Sequence, residues 1–287
     1  MTNAINCWPS SPPYRRSQRQ AHDSSFTLHT SEEAAELGNY LPLSFKTPKE
    51  QEYIEFLWDA FETNHTHGKY QFAFLAYHML TMSFVYFNIW QIKQTVPKDF
   101  AMSLIGFGKD IEKNLLDASS PFVFSTVNER TMLRFLKLIA CDNGKIGTYA
   151  KLVDDRNETA HPNGNIFFST QAALDTKITE ILRVVDEIQS HSRPVIEHCY
   201  QNFLLQNYAT EEREYPDAAD QIREVLIHAN YLSQKDIDIC INFDLAVLAD
   251  QPQHVNMREL HEALKVGYGY EHGHNHAVFD TEFAGQE

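Results

Sequence analysis

Between Tyr70 and Gln94 the chain passes through Phe72, Phe74, Leu75, Met79, Leu80, Met82, Phe84, Val85, Tyr86, Ile89 and Trp90 without setting aside a polar face. A helix that is apolar nearly all round needs other helices on every side. This one segment therefore predicts a bundle with Tyr70–Gln94 at its centre. Tyr77, His78, Thr81, Ser83 and Asn88 interrupt the apolar run, which reads as a buried core helix and not as a membrane span. Pro97 ends it.

The surrounding elements are helical as well. Thr47-Pro48 has the form of an N-cap followed by a first-turn proline, and Tyr53, Phe56, Leu57, Ala60 and Phe61 follow at helical spacing. Asn64–Gly68 is a polar break. A third helix is expected over about Asp99–Leu116, with Met102, Ile105, Ile111 and Leu115 inward, and a fourth over about Asn128–Ala140. The fifth runs from about Lys145 to His161 and stops at Pro162-Asn163-Gly164. The sixth begins near Thr170 and should kink or divide at Pro194. Two or three shorter helices follow, at about Asp217–Leu232, Gln234–Ala249 and Asn256–Val266. No alternating run argues for a sheet. The expected fold is all-α, an antiparallel helical bundle with a small C-terminal helical extension.

The domain reading has four parts. Residues 1–45 form a flexible arm, with Pro9, Pro12 and Pro13 among serines and a basic cluster at Arg15, Arg16 and Arg19. Residues 46–208 form the bundle, 209–266 the extension, and 267–287 a loose acidic tail. With 43% hydrophobic residues in 287, a sizeable core is within reach. The four cysteines (Cys7, Cys141, Cys199, Cys240) are scattered and form no C-x-x-C pair, which suits free thiols in a reducing compartment, and no signal pattern opens the chain. The expected location is the cytoplasm, with no membrane partner.

A net charge of −15, from 24 basic and 39 acidic residues, excludes a broad electrostatic grip on nucleic acid. Most of that charge follows Gln206, whereas the stretch from Thr126 to Asn165 is close to neutral. The acidic last third reads first as a solubilising face, and second as a regulatory element lying over the near-neutral region.

That neutral stretch holds the most chemically pointed segment, Arg156-Asn157-Glu158-Thr159-Ala160-His161. Ile146, Tyr149, Ala150 and Val153 make the apolar face of its helix, and Asn157 and His161, four apart, continue the Val153 line. Polar groups on an inward line need partners: a network, an interface or a ligand. Pro162 biases His161 away from helical backbone and places it at the frayed helix end. An arginine fork can hold a phosphate, and a histidine can take a proton from a ribose 2′-OH or give one to the leaving 5′-oxygen. Phosphodiester cleavage in RNA needs no metal, because the nucleophile belongs to the substrate. The same side chains could instead cap the helix and pair with Asp154, Asp155 or Glu158.

R-N-x-x-x-H at a helix end in an all-helical chain resembles the motif of the HEPN superfamily, and the match falls on Arg156, Asn157 and His161. The resemblance covers about Tyr53–Tyr208. It implies a metal-independent endoribonuclease without cofactor or metal, catalytic Arg156, Asn157 and His161, and a homodimer whose paired motifs meet at the interface. It further implies a toxin or antiviral-defence role, with a possible antitoxin or regulatory partner protein. The alternative is a non-catalytic interaction or oligomerisation protein using a HEPN-like bundle.

Other histidines read more plainly. His272, His274 and His276 could chelate a transition metal but suit a tail, and the pair His65 and His67 is similar. His78 reads first as a core histidine and second as a group facing the motif. No phosphate-loop, dinucleotide or nucleophile-elbow pattern occurs.

Overall fold

A computed structural model describes residues 33–209 and 213–269. Helix α1 (Pro48–Thr66) starts at Thr47, whose side chain accepts from the Glu50 amide while the Glu50 carboxylate accepts from the Thr47 amide. It ends at the polar break, where Gly68 takes a positive φ of 68°. Helix α2 (Tyr70–Thr95) packs on α1 and on the long helix α7 (Gln171–Asn207). Phe74, Tyr77, Leu80, Phe84 and Ile89 are fully buried along it. Each contributes about 1.5–3 kcal/mol relative to an exposed side chain, so α2 is the axis of the bundle. Its length and composition would suit a membrane span, but 83% of its most apolar window is covered by protein. The described residues form no strand; their single β-like feature is an isolated bridge between Pro42 and Ser233. The all-α bundle is as the periodicity predicts.

The expected third helix is two. Helix α3 (Pro97–Ser103) and α4 (Lys109–Leu116) are separated at Gly106, which takes φ 97°, and Gly108. Phe100, Leu104 and Leu115 are buried, while Met102, Ile105 and Ile111 face solvent, contrary to the expected inward set. The glycines were the legible signal, since a residue in the left-handed region breaks helical phase. Helix α5 (Glu129–Leu133), capped by Asn128, tightens into a 3₁₀ segment at Arg134–Ile139. Helix α6 (Asn143–Ala160) is capped by Asp142. Helix α7 continues through Pro194 without dividing. Buried Val195 and Ile196 hold the helix on both cores, which outweighs one missing backbone bond.

The proposed arm ends earlier than residue 45. Ala34, Leu37, Tyr40 and Leu41 belong to the bundle core. The Tyr77 hydroxyl donates to the Ala34 carbonyl at 3.2 Å, and that of Tyr40 to Asp186 at 3.1 Å. Their spacing is helical, but the run is short, and its partners on α2 and α7 are what show that it belongs to the core.

Beyond the bundle, α8 (Ala218–Gln221, widening into a π-helical stretch at Ile222–His228), α9 (Gln234–Ile241) and α10 (His254–Tyr268) enclose a second core with the last turns of α7. This extension is bolted to the bundle. Tyr231 is 1% exposed, counts among the bundle core, and donates its hydroxyl to Glu50 at 3.0 Å. Gln91 donates to the Tyr231 carbonyl and to Asp236, and Gln189 also donates to Asp236, at 2.6 Å. Burial pushes the Asp236 carboxyl up against the pull of these donors. The two cores therefore do not divide at residue 208: Ile196, Tyr200, Phe203 and Leu204 of α7 belong to the second, Tyr231 belongs to the first, and one network joins them. Residues of the expected tail from 270 onward lie outside the described residues, as do Cys7, the Arg15–Arg19 cluster and the His272–His276 group.

Candidate active site

Helix α6 leans its apolar side on α2, with Ile146, Tyr149, Ala150 and Val153 buried as the periodicity predicts. One turn beyond Val153, Arg156 and Asn157 emerge half-buried at an open cavity of 1120 Å³. The cavity lies between α1 (Lys49, Glu50, Tyr53), α2 (Met79, Met82, Ser83, Tyr86), the loop and 3₁₀ turn before α5 (Ser119 to Asn128), and the start of α5 (Glu129, Arg130). Val153 forms part of its wall.

His161 does not join them. Its side chain is exposed and is absent from the cavity lining. The helix stops at Ala160, and His161 has extended backbone (φ −80°, ψ 141°), as required before Pro162. The inward line therefore ends at Asn157. The backbone around His161 is nonetheless well held: its amide donates to the Asn157 carbonyl at 3.1 Å and its carbonyl accepts from Asn163 at 2.8 Å. Gln71 at the start of α2 closes the loop from outside, donating to the Thr159 carbonyl and accepting from the Phe167 amide. The His161 ring has no hydrogen-bond partner among the described residues, in a loop pinned on both sides.

Arg156 does not pair with Asp154, Asp155 or Glu158. Asp154 is taken by Arg130 and Asp155 by Lys177. Arg156 reaches Glu129 at 2.7 Å instead, and the same carboxylate oxygen accepts from Nε2 of His78 at 3.1 Å. His78 is 1% exposed and does not line the cavity, so it is a core histidine and not a group facing the motif; it meets Arg156 only through Glu129. Its Nδ1 has no partner. Burial resists ionisation of Glu129, but the hydrogen bonds and charges of His78 and Arg156 outweigh that and hold its carboxyl below the usual range. Tyr86 lies within electrostatic reach; burial, then Glu129 and Tyr53, push its phenol well up, so it stays a hydrogen-bond donor. Glu129, Tyr86 and Tyr53 were missed from sequence. Nothing local distinguishes a carboxylate that meets an arginine across the bundle from one on a solvated face.

The sign of the Glu129 shift sets an acid test. A carboxyl depressed in the fold contributes stability above its unfolded pKa, and loses it as the pH falls through the folded one. Wild type should therefore lose more stability than Glu129→Gln between pH 6 and pH 3. Urea midpoints at both pH values check this, and the difference between the two proteins cancels opposing groups such as Asp236.

Among the described residues no three His, Cys, Asp or Glu side chains are grouped to hold a metal ion. His65 stacks near Phe61 and Tyr70 while His67 bonds the Thr63 carbonyl, so that pair is divided. Cys141 and Cys240 are buried free thiols, and Cys199 is a half-buried one. No described residue after Asn157 lines the cavity, so within residues 213–269 the acidic extension does not cover it. No family model, no curated protein and no solved structure matches the chain.

Proposed function

We propose that the protein is a metal-independent RNA endonuclease of HEPN type, acting as a homodimer in the cytoplasm. One observation carries the reading: a pinned loop presents the unpartnered His161 ring to solvent one turn beyond Arg156 and Asn157, which edge a cavity. In this scheme Arg156 holds the scissile phosphate and Asn157 fixes its orientation. His161 takes the 2′-OH proton or protonates the leaving 5′-oxygen. The 2′-oxygen bonds to phosphorus as the P–O5′ bond breaks, giving a 2′,3′-cyclic phosphate and a 5′-hydroxyl; water that then adds to the cyclic phosphorus and breaks the P–O2′ bond gives the 3′-phosphate. A single subunit turns His161 away from the cavity that holds the other two residues, which favours a site completed by a second copy. Exposed Phe72 and Met79, seven apart on α2, lead from the cavity toward Ile166 and Phe167, also exposed. That strip is the surface a partner subunit would cover. A toxin or antiviral effector restrained by an antitoxin rests on the resemblance alone.

Purified protein incubated with total RNA and EDTA should yield fragments with 5′-hydroxyl ends, and sedimentation should give twice the mass of one chain. The Arg156–Glu129 pair favours a second reading, a non-catalytic interaction protein in which Arg156 is structural. Intact RNA under these conditions, with no growth arrest on expression, would leave only that second reading standing.

A further inference from the structure

We infer that the cavity beside Arg156 seats one unstacked base of single-stranded RNA, next to the phosphate that is cut. This rests on the ribonuclease reading and adds a substrate class to it. Tyr53 and Phe122 meet edge to face with ring centroids 5.2 Å apart, and Met79 and Met82 extend the apolar wall. A base face stacks on such surfaces, and differences in stacking strength give a preference among bases.

The lining is mostly apolar but not wholly so. Ser119 and the Asn128 side-chain N–H₂, both exposed, donate to nothing among the described residues. A base edge would engage them. The open cavity of 1120 Å³ has room for a nucleoside with its phosphate.

Charge points the same way. Lys49, Arg130 and Arg156 stand at the cavity against Glu50 and Glu129, a nearly balanced set in a chain of net −15. Arg130 and Arg156 are already paired. A site of this kind cannot hold RNA through many phosphates. Its binding free energy must come from one base, and its affinity should depend weakly on salt, with a slope of about −0.7 per phosphate neutralised.

The test uses the full chain and its Tyr53→Ala and Met79→Trp variants, with circular dichroism confirming that each is folded and sedimentation that each keeps the wild-type mass, since Met79 also lies on the strip assigned to the partner subunit. Met79 is 42% exposed, so tryptophan there can fill the cavity mouth without entering the core. Cleavage sites in a random-sequence single-stranded RNA are mapped by sequencing. The expected result is a preference for one class of base beside the cut. In both variants that preference should fall about tenfold, the scale of one base–aromatic stack. Cleavage with no base preference, or a preference unchanged in both variants, overturns the base seat and leaves the ribonuclease intact. Should wild type cut no RNA, the ribonuclease reading fails by itself, and the cavity is judged by titration with the four nucleoside monophosphates. Saturable binding weakened by Tyr53→Ala then sustains the seat; no saturation by 10 mM, roughly the weakest affinity a seated ligand would show, ends it.

Discussion

Alanine at His161 should slow RNA cleavage by a factor on the order of 10² to 10⁴, the range of a general acid or base, while leaving the unfolding midpoint unchanged. The second half follows from the structure. The ring is exposed and makes no hydrogen bond among the described residues, and surface changes of that kind stay within about 0.5 kcal/mol. Arginine 156 should behave differently. Arg156→Ala should remove cleavage by roughly 10²–10³, as for loss of a transition-state donor. It should also cost stability on the order of 1 kcal/mol, discounted for a guanidinium 30% exposed, because Glu129 is left with His78 alone. Arg156→Lys should recover stability more than rate, since an ammonium keeps the charge but not the fork. Rate measured on a single-site oligonucleotide, with urea unfolding alongside, separates the two residues. Equal small losses at both positions, with no loss of folding at either, would remove the catalytic assignment.

Tyr231→Ala should destabilise the whole protein by about 3–5 kcal/mol, the range for emptying an aromatic site in a core. Tyr231 packs against Phe87 and Trp90, with Lys46 over its ring, and donates to both oxygens of Glu50. Glu50 in turn accepts from the α1 N-cap amide and from Ser120, which borders the cavity. The substitution leaves a void and a buried carboxylate short of a donor. Tyr231→Phe should cost much less, about 1–2 kcal/mol, because only the hydroxyl is lost. Chemical denaturation measures both. The same contacts bear on removing everything after Asn207. Such a truncation takes a fully buried residue out of the bundle core, so it should unfold the chain and not release a regulator. Point substitution of exposed acids in the extension is the cleaner probe of any regulatory role.

Several features were legible from residue order. Thr47 caps α1 as read, and Asn128 and Thr170 cap the helices expected to begin near them, whereas α6 starts at Asn143 under an Asp142 cap, ahead of the expected start at Lys145. The buried face of α6 followed from Ile146, Tyr149, Ala150 and Val153. Gly106 and Gly108 mark the break between α3 and α4 in the residue order, and the apolar residues on either side mask it. The packing of Ala34, Leu37 and Tyr40, and the passage of α7 through Pro194, were not visible. Both depend on what lies opposite in space.

The site divides in the same way. Residue order alone determined that α2 lies at the centre, that α6 ends at Pro162, and that His161 stands at that end with extended backbone. These are consequences of apolar period and of proline's ring, which act within a few residues. Only tertiary structure decided that Arg156 meets Glu129 and, through it, buried His78, and that Arg156 and Asn157 edge a cavity which His161 does not enter. An ion pair of that kind forms between groups brought together by the packing of α2, α5 and α6, and nothing in the spacing of charges along the chain encodes which carboxylate an arginine will find.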